Sequence, residues 1–190
     1  IEPADNIGGG TPGDATGLLG PLLDTGRTNI LAALADREAV AACFAAGKGA
    51  TLSLMIGGKT DQHHGAPIAF TGTVEHLSDG VFQLENPKSH LASMGGTTIR
   101  MGRCAVIAND QAKILLSERK TAPMDLGQYH SQGLRPEDAT YVVIKAAVSH
   151  RAAYDAIQRA SFYVDSPGLC TSDLRRLPFT KLRGKVISLS

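Results

Sequence analysis

Tryptophan is absent, aromatic residues make up only 5% of the chain, and 19 basic residues against 18 acidic ones leave a net charge of +1. Each scarcity closes a class of function. So neutral a chain carries no overall field to hold nucleic acid or an anionic membrane, and its basic residues thicken only around positions 175–183. No apolar run approaches the roughly 18 residues that a transmembrane helix needs, and the opening residues do not read as a secretory signal. The three cysteines, Cys43, Cys104 and Cys170, are odd in number, far apart and free of any Cys-x-x-Cys pair. Cys43 and Cys104 sit in apolar surroundings where a thiol acts as a small hydrophobe, and the set fits a reducing, cytoplasmic compartment. A P-loop ending, the dinucleotide spacing and a Gly-x-Ser-x-Gly elbow are all missing.

What is present is a globular composition, 43% hydrophobic and 19% charged over 190 residues, which suffices for one domain over 1–190 with a real core. Its densest feature is Asp5-Asn6-Ile7-Gly8-Gly9-Gly10-Thr11-Pro12-Gly13-Asp14. Glycines let backbone N–H groups crowd together at a sharp turn, and consecutive amides favour a ligand or a neighbouring domain. Only Ile1-Glu2-Pro3-Ala4 precedes this run, too little for a strand of the usual five or six residues. The expectation is a chain that begins inside a strand, with a further domain upstream.

From there the pattern alternates. Asp14 is a candidate N-cap for a helix to about position 25, with Pro21 forcing a kink or a late start. Residues 28–35 form an apolar run of strand length, Asp36 caps a helix ending at Gly47, and 50–56 form a strand closing on Gly57-Gly58. This βαβαβ start predicts an α/β fold with a mostly parallel sheet flanked by helices. Residues 67–120 lose helical periodicity and read as an antiparallel meander, an insertion with strands at 68–77, 81–85, 98–108 and 112–119 and a polar loop at 86–96. A βαβ end follows: a short helical stretch within 122–133, a strand at 141–148, a helix marked by Ala153, Ile157 and Ala160, a strand at 162–165, a turn capped by Thr171 or Ser172, and a strap at 183–190.

Three constellations could carry chemistry. The first turn could receive an anion on its N–H groups, although Asp5 and Asp14 would repel a phosphate. The second, Gly57-Gly58-Lys59-Thr60-Asp61-Gln62-His63-His64-Gly65, offers a mobile cation in Lys59 and potential zinc ligands in Asp61, His63 and His64; adjacent histidines rarely chelate one ion, and a solvated loop accounts for them better. The third is Lys145, set within an apolar strand and followed by Ser149-His150-Arg151. A lysine there is either on an exposed pleat or paired for a purpose.

Taken together, 4–14, then Gly57-Gly58-Lys59-Thr60-Asp61 with Gly65-Ala66-Pro67, then Met101-Gly102-Arg103-Cys104-Ala105-Val106, then Val142 to Lys145 with His150-Arg151-Ala152-Ala153, and finally Asp165-Ser166-Pro167-Gly168-Leu169, resemble the C-terminal domain of the microcystinase C family. The resemblance implies a zinc metallopeptidase acting on microcystin-like and linear peptides, whose Asp and His zinc ligands belong to an N-terminal domain. It implies no catalytic zinc in this chain alone, and Gly-rich turns that face the N-terminal domain across a substrate crevice. The family pattern departs at Lys145-Ala146 and at Ser149-His150-Arg151-Ala152, which displaces His150 by one position. Asp5, Asn6, Gly8, Gly9, Gly10, Asp14, Gly58, Lys59, Lys145, His150 and Arg151 are the expected substrate or interface residues, with the three cations available to a substrate carboxylate. The expected partners are the N-terminal domain, a peptide or small amide substrate and, optionally, a second copy. The alternatives are a dimerisation or substrate-gating module and a free-standing anion-binding domain.

Overall fold

A computed structural model describes residues 1–171. The expectations for Ser172 and for 175–190 lie outside those residues.

After Ile1 and Glu2 the chain makes two 3-10 turns, Pro3–Asp5 and Ile7–Gly9. Pro3 fixes φ at the first of them, and Gly10 closes the second at φ +99. Helix α1 (Leu19–Asp24) starts late, with Pro21 inside its first turn. Asp14 does not cap it: the carboxylate is used elsewhere, as described below. Strand β1 (Ile30–Ala35) leads into α2 (Arg37–Ala46), whose N-terminus is capped by Asp36 accepting from Ala39 N–H at 2.9 Å. Then come β2 (Thr51–Ile56), the long β3 (Ile68–Ser78), β4 (Val81–Gln83), α3 (His90–Gly95), β5 (Thr98–Arg100), β6 (Cys104–Ala108), β7 (Ala112–Ser117), α4 (Gly127–His130), β8 (Tyr141–Val143) and α5 (Arg151–Tyr154). Helix α3 occupies the stretch expected to be a loop.

Six strands form one sheet in the order β2-β3-β6-β7-β1-β8, and β4 and β5 pair separately. The expected α/β class, a central sheet flanked by helices, is what the chain adopts. The pairing differs in detail. Strand β1 lies parallel to β7 and to β8, whereas β2–β3, β3–β6 and β6–β7 are antiparallel. The middle of the chain is therefore not an insertion, since β3, β6 and β7 are strands of the main sheet. Strands β6 and β7 are buried almost throughout, so they lack the polar face by which a meander is usually told from a core strand.

Side chains alternate between the two faces. Ile30, Ala32, Leu34, Ile107, Ile114 and Leu116 meet Leu19 of α1 and Val40 and Cys43 of α2, while Leu31, Val106 and Leu115 meet Tyr129 of α4, Tyr154 of α5 and the β4–β5 pair. Period-2 alternation thus gives the sheet an apolar core on each side. The ends of β1, β2 and β8 converge on the two Gly-rich turns, which is how the fold positions its candidate site.

Candidate functional site

Lys145 anchors the first turn. It follows β8 with 3% of its side chain exposed, and its Nζ lies 2.7 Å from Glu2, 3.0 Å from Asp5 and 2.6 Å from the Ala15 carbonyl. Asp5 also accepts from Gly13 N–H and Ala15 N–H, each at 2.8 Å, and Glu2 accepts from Leu18 N–H at 3.1 Å. Three buried charges survive because every one is paired and hydrogen-bonded. Lys145 is thereby committed inside the domain and does not reach out toward a ligand.

Asp14 performs the same service for the second turn. Its Oδ2 accepts from Lys59 N–H and Thr60 N–H, each at 2.9 Å, and its backbone carbonyl accepts from Gly58 N–H at 2.7 Å. Its Oδ1 is buried without a hydrogen-bond partner. Asp36 accepts from Gly57 N–H at 2.9 Å and meets Lys59 Nζ at 3.1 Å, with Glu38 equally close to that ammonium. Gly58 is required here on two counts: φ is +56, and a Cβ would fall 2.5 Å from the Ala66 carbonyl carbon. Thr16 completes the lock, donating its hydroxyl to Ala66 O and its N–H to His64 O.

The two histidines of this turn part company. His63 is exposed, as a solvated loop requires, but His64 is 1% exposed and therefore no surface residue. Its Nδ1 lies 2.8 Å from Asp61, and its Nε2 accepts from Leu169 N–H at 3.3 Å. That pattern places the proton on Nδ1 and the lone pair on Nε2. The imidazole thus pins the returning segment near 169 onto the second turn.

Between these parts lies an open cavity of about 400 Å³, lined on one side by Gly9, Gly10, Thr11 and Pro12 and on the other by Asp61, His64, Leu169 and Cys170. Gly8, Gly9 and Gly10 are exposed. Lys120 Nζ donates to the carbonyls of Gly10 and Thr11 at 2.8 and 2.7 Å, holding the tip of the turn from behind. The Asn6 amide and the Cys170 thiol lie against Gly9, with Nδ2 3.2 Å and Sγ 2.9 Å from where a Cβ would lie. Among the described residues, no three His, Cys, Asp or Glu side chains converge as a metal site. Asp61 and His64 come together, but the second imidazole nitrogen faces an amide rather than a third ligand.

The structure therefore joins Gly9 and Gly10 to Asp61 and His64 and backs them with Asp5, Asp14, Gly58, Lys59 and Lys145. His150 and Arg151 are not part of the lining. His150 is buried beside the rings of Tyr154 and Tyr163 with Nδ1 unpartnered, and burial pulls its pKa below the ordinary value. Arg151 is exposed and pairs with Asp155 at 3.2 Å. Glu2, Asp36, Lys120 and Cys170 were not singled out as site residues in the sequence. Glu2 had a signal: a lysine buried in an apolar strand demands a carboxylate. Lys120 and Cys170 had none, because they reach the turn only through the fold.

The family described as MlrC C-terminus matches residues 1–181. Microcystinase C of Sphingomonas sp is 28% identical over 167 residues, which cover 87% of this chain and 31% of that protein. A crystal structure of a protein from Mesorhizobium sp. BNC1, provisionally named a metallopeptidase, superposes with a TM-score of 0.83 at 25% identity, over 100% of this chain and 38% of that one. The chain spans about a third of the length of these relatives.

Proposed function

Because this chain belongs to the MlrC C-terminus family, we propose that it forms one wall of the substrate crevice of a metal-dependent peptidase, working against an N-terminal domain of a longer protein. The observation that carries the reading is the double carboxylate clamp. Asp5 holds the first Gly-rich turn and Asp14 the second, each through two backbone amides, so that two loops are fixed as one surface around an open cavity. Loops held this firmly are suited to orienting a ligand, since catalysis gains most when the groups that position a substrate are already in place.

In this reading the exposed backbone of Gly8, Gly9 and Gly10 meets the peptide, and the absence of side chains there lets main chain approach main chain. Asp5, Asn6, Asp14, Gly58, Lys59 and Lys145 are positioning residues. They act through the turns and touch no substrate. The alternatives named from the sequence, a gating or dimerisation module and a free-standing anion-binding domain, receive no specific support from the cavity, whose walls carry carboxylate and imidazole rather than free cations. The name of the Mesorhizobium protein points to a metal, and the family resemblance implies zinc. The described residues do not fit one: the carboxylates of Asp5, Asp14 and Asp36 are spent on backbone amides, and Asp61 on His64. In this reading the metal belongs to the remainder of the longer protein.

Asp14→Ala in the longer protein tests this. It removes the carboxylate that holds Lys59 N–H and Thr60 N–H while leaving the backbone and Thr16 bonds between the turns in place, and kcat/KM for a linear peptide should fall about tenfold to a hundredfold, the scale of a small misplacement of positioning groups. Unchanged kcat/KM, with the thermal midpoint lowered as loss of the clamp requires, would remove the crevice role.

A further inference from the structure

Strand β8 ends the six-stranded sheet, and its outer edge borders a cavity of about 530 Å³. One side of the strand is used. Tyr141 N–H bonds Asn29 O, and Tyr141 and Val143 face β1 through the parallel ladder. Successive residues of a strand turn their N–H and C=O groups to opposite edges, so Val142 and Ile144 face the cavity. At Ile144 the outer edge is already half paired, because its carbonyl accepts from Glu2 N–H at 2.9 Å.

Ile1 is flanked on its other side too. Its N–H donates to Phe162 O at 2.7 Å, and its carbonyl accepts from Val164 N–H at 2.8 Å, the pairing of a residue lying parallel to Tyr163. Ile1 thus sits between two extended segments, as the last rung of a strand would. The cavity continues that slot backwards along the chain, between β8 and residues 157–164. In the parallel register set by Glu2, the N–H of Ile144 aims at the carbonyl of a residue before Ile1, and Val142 offers the next N–H and C=O.

We propose that, in the longer protein, the segment contiguous with Ile1 runs as an extended strand parallel to β8 and fills this slot, adding a strand to the sheet. The proposal rests on reading this chain as part of a longer protein and deepens it by naming where the upstream chain enters. The slot also sets the chemistry of its occupant. Leu18 and Leu22 line it from one face of the sheet, and Tyr154 and Ile157 from the other. A strand enclosed on both faces is apolar at successive positions rather than at alternate ones. Three or so residues suffice, since a strand rises roughly 3.3 Å per residue and β8 is short.

Residue-resolved hydrogen exchange on the longer protein tests the proposal. Tyr141 N–H, bonded inside the sheet, is the internal standard. Val142 and Ile144 amides should exchange slowly, within about tenfold of Tyr141, and should keep that protection on dilution. Exchange of both at the rate of an open loop, with Tyr141 still protected, overturns the proposal and leaves the crevice reading standing. Protection that disappears on dilution also overturns it, because a second copy would then be the strand. Loss of the crevice reading shows separately, as unaltered kcat/KM in Asp14→Ala while the two amides remain protected.

Discussion

Lys145 is the residue on which the site turns. Its ammonium joins two buried carboxylates and a carbonyl, and removing it would leave Glu2 and Asp5 as uncompensated buried charges. Lys145→Met should lower the unfolding free energy by about 3–5 kcal/mol, the usual consequence of breaking a buried ion pair from one side. Urea denaturation followed by circular dichroism would measure it, and Glu2→Gln in the same chain should restore part of the loss. A change below about 1 kcal/mol would mean that water reaches the carboxylates. The sequence made half of this visible. A lysine within Val142-Val143-Ile144-Lys145-Ala146 has to be paired or exposed, but its partners lie about 140 positions away, at a distance no local pattern reports. His64 is hidden from the sequence for the same reason. An adjacent His pair beside Asp61 looks like a solvated loop until Leu169 folds over it.

At the scale of elements, the turns separate two demands that glycine meets. Gly10 and Gly58 both have positive φ, but a Cβ at Gly10 meets nothing, whereas one at Gly58 meets the Ala66 backbone. Gly10→Ala should therefore destabilise by about 1 kcal/mol, the strain of the left-handed region alone. Gly58→Ala should destabilise by roughly 3 kcal/mol or more, because backbone has to move as well. Thermal unfolding of the two variants side by side checks the difference, and equal losses would show that the second turn can relax.

A second element-scale device is His130 at the end of α4. Its Nδ1 lies 2.6 Å from Glu85 and its Nε2 3.1 Å from Glu137, tying three segments together. Burial lowers its pKa, but the hydrogen bonds that the imidazolium donates to Glu137 and Glu85, with their negative charge, outweigh burial and the net shift is upward. A raised native pKa means that the imidazolium's contribution is complete below the ordinary value of about 6.5 and fades as pH rises through the native one. His130→Ala should therefore destabilise the chain more at pH 6 than at pH 8.5, by about 0.5–1 kcal/mol for a partly exposed cluster. Equal losses at the two pH values would contradict it. None of this was readable from the sequence, where His130 stands alone.

For the whole molecule, the class of the fold was legible and its pairing was not. The helices after Gly13 and Asp36, and the apolar run at 28–35, declare an α/β sheet; the helices' faces and the run's length are local properties. Whether neighbours run parallel is decided by crossovers, and β6 and β7, buried on both faces, give no alternation to separate them from parallel core strands. The outcome is a sheet with a core on each side, whose ends at β1, β2 and β8 support one surface of two Gly-rich turns.

The central claim is that this surface faces peptide in the longer protein, and Cys170 reports on it. Cys43 and Cys104 are buried, and burial pushes the Cys104 thiol up to about 12, so both are slow to react. Cys170 is partly exposed and lines the cavity. The rate of Cys170 alkylation by iodoacetamide, measured on the longer protein with and without a saturating non-hydrolysed linear peptide, is the most direct test. A slowing of about tenfold or more at a peptide concentration near ten times its dissociation constant is the expected result. An unchanged rate, with binding of the peptide shown independently, would place the substrate elsewhere and contradict the account.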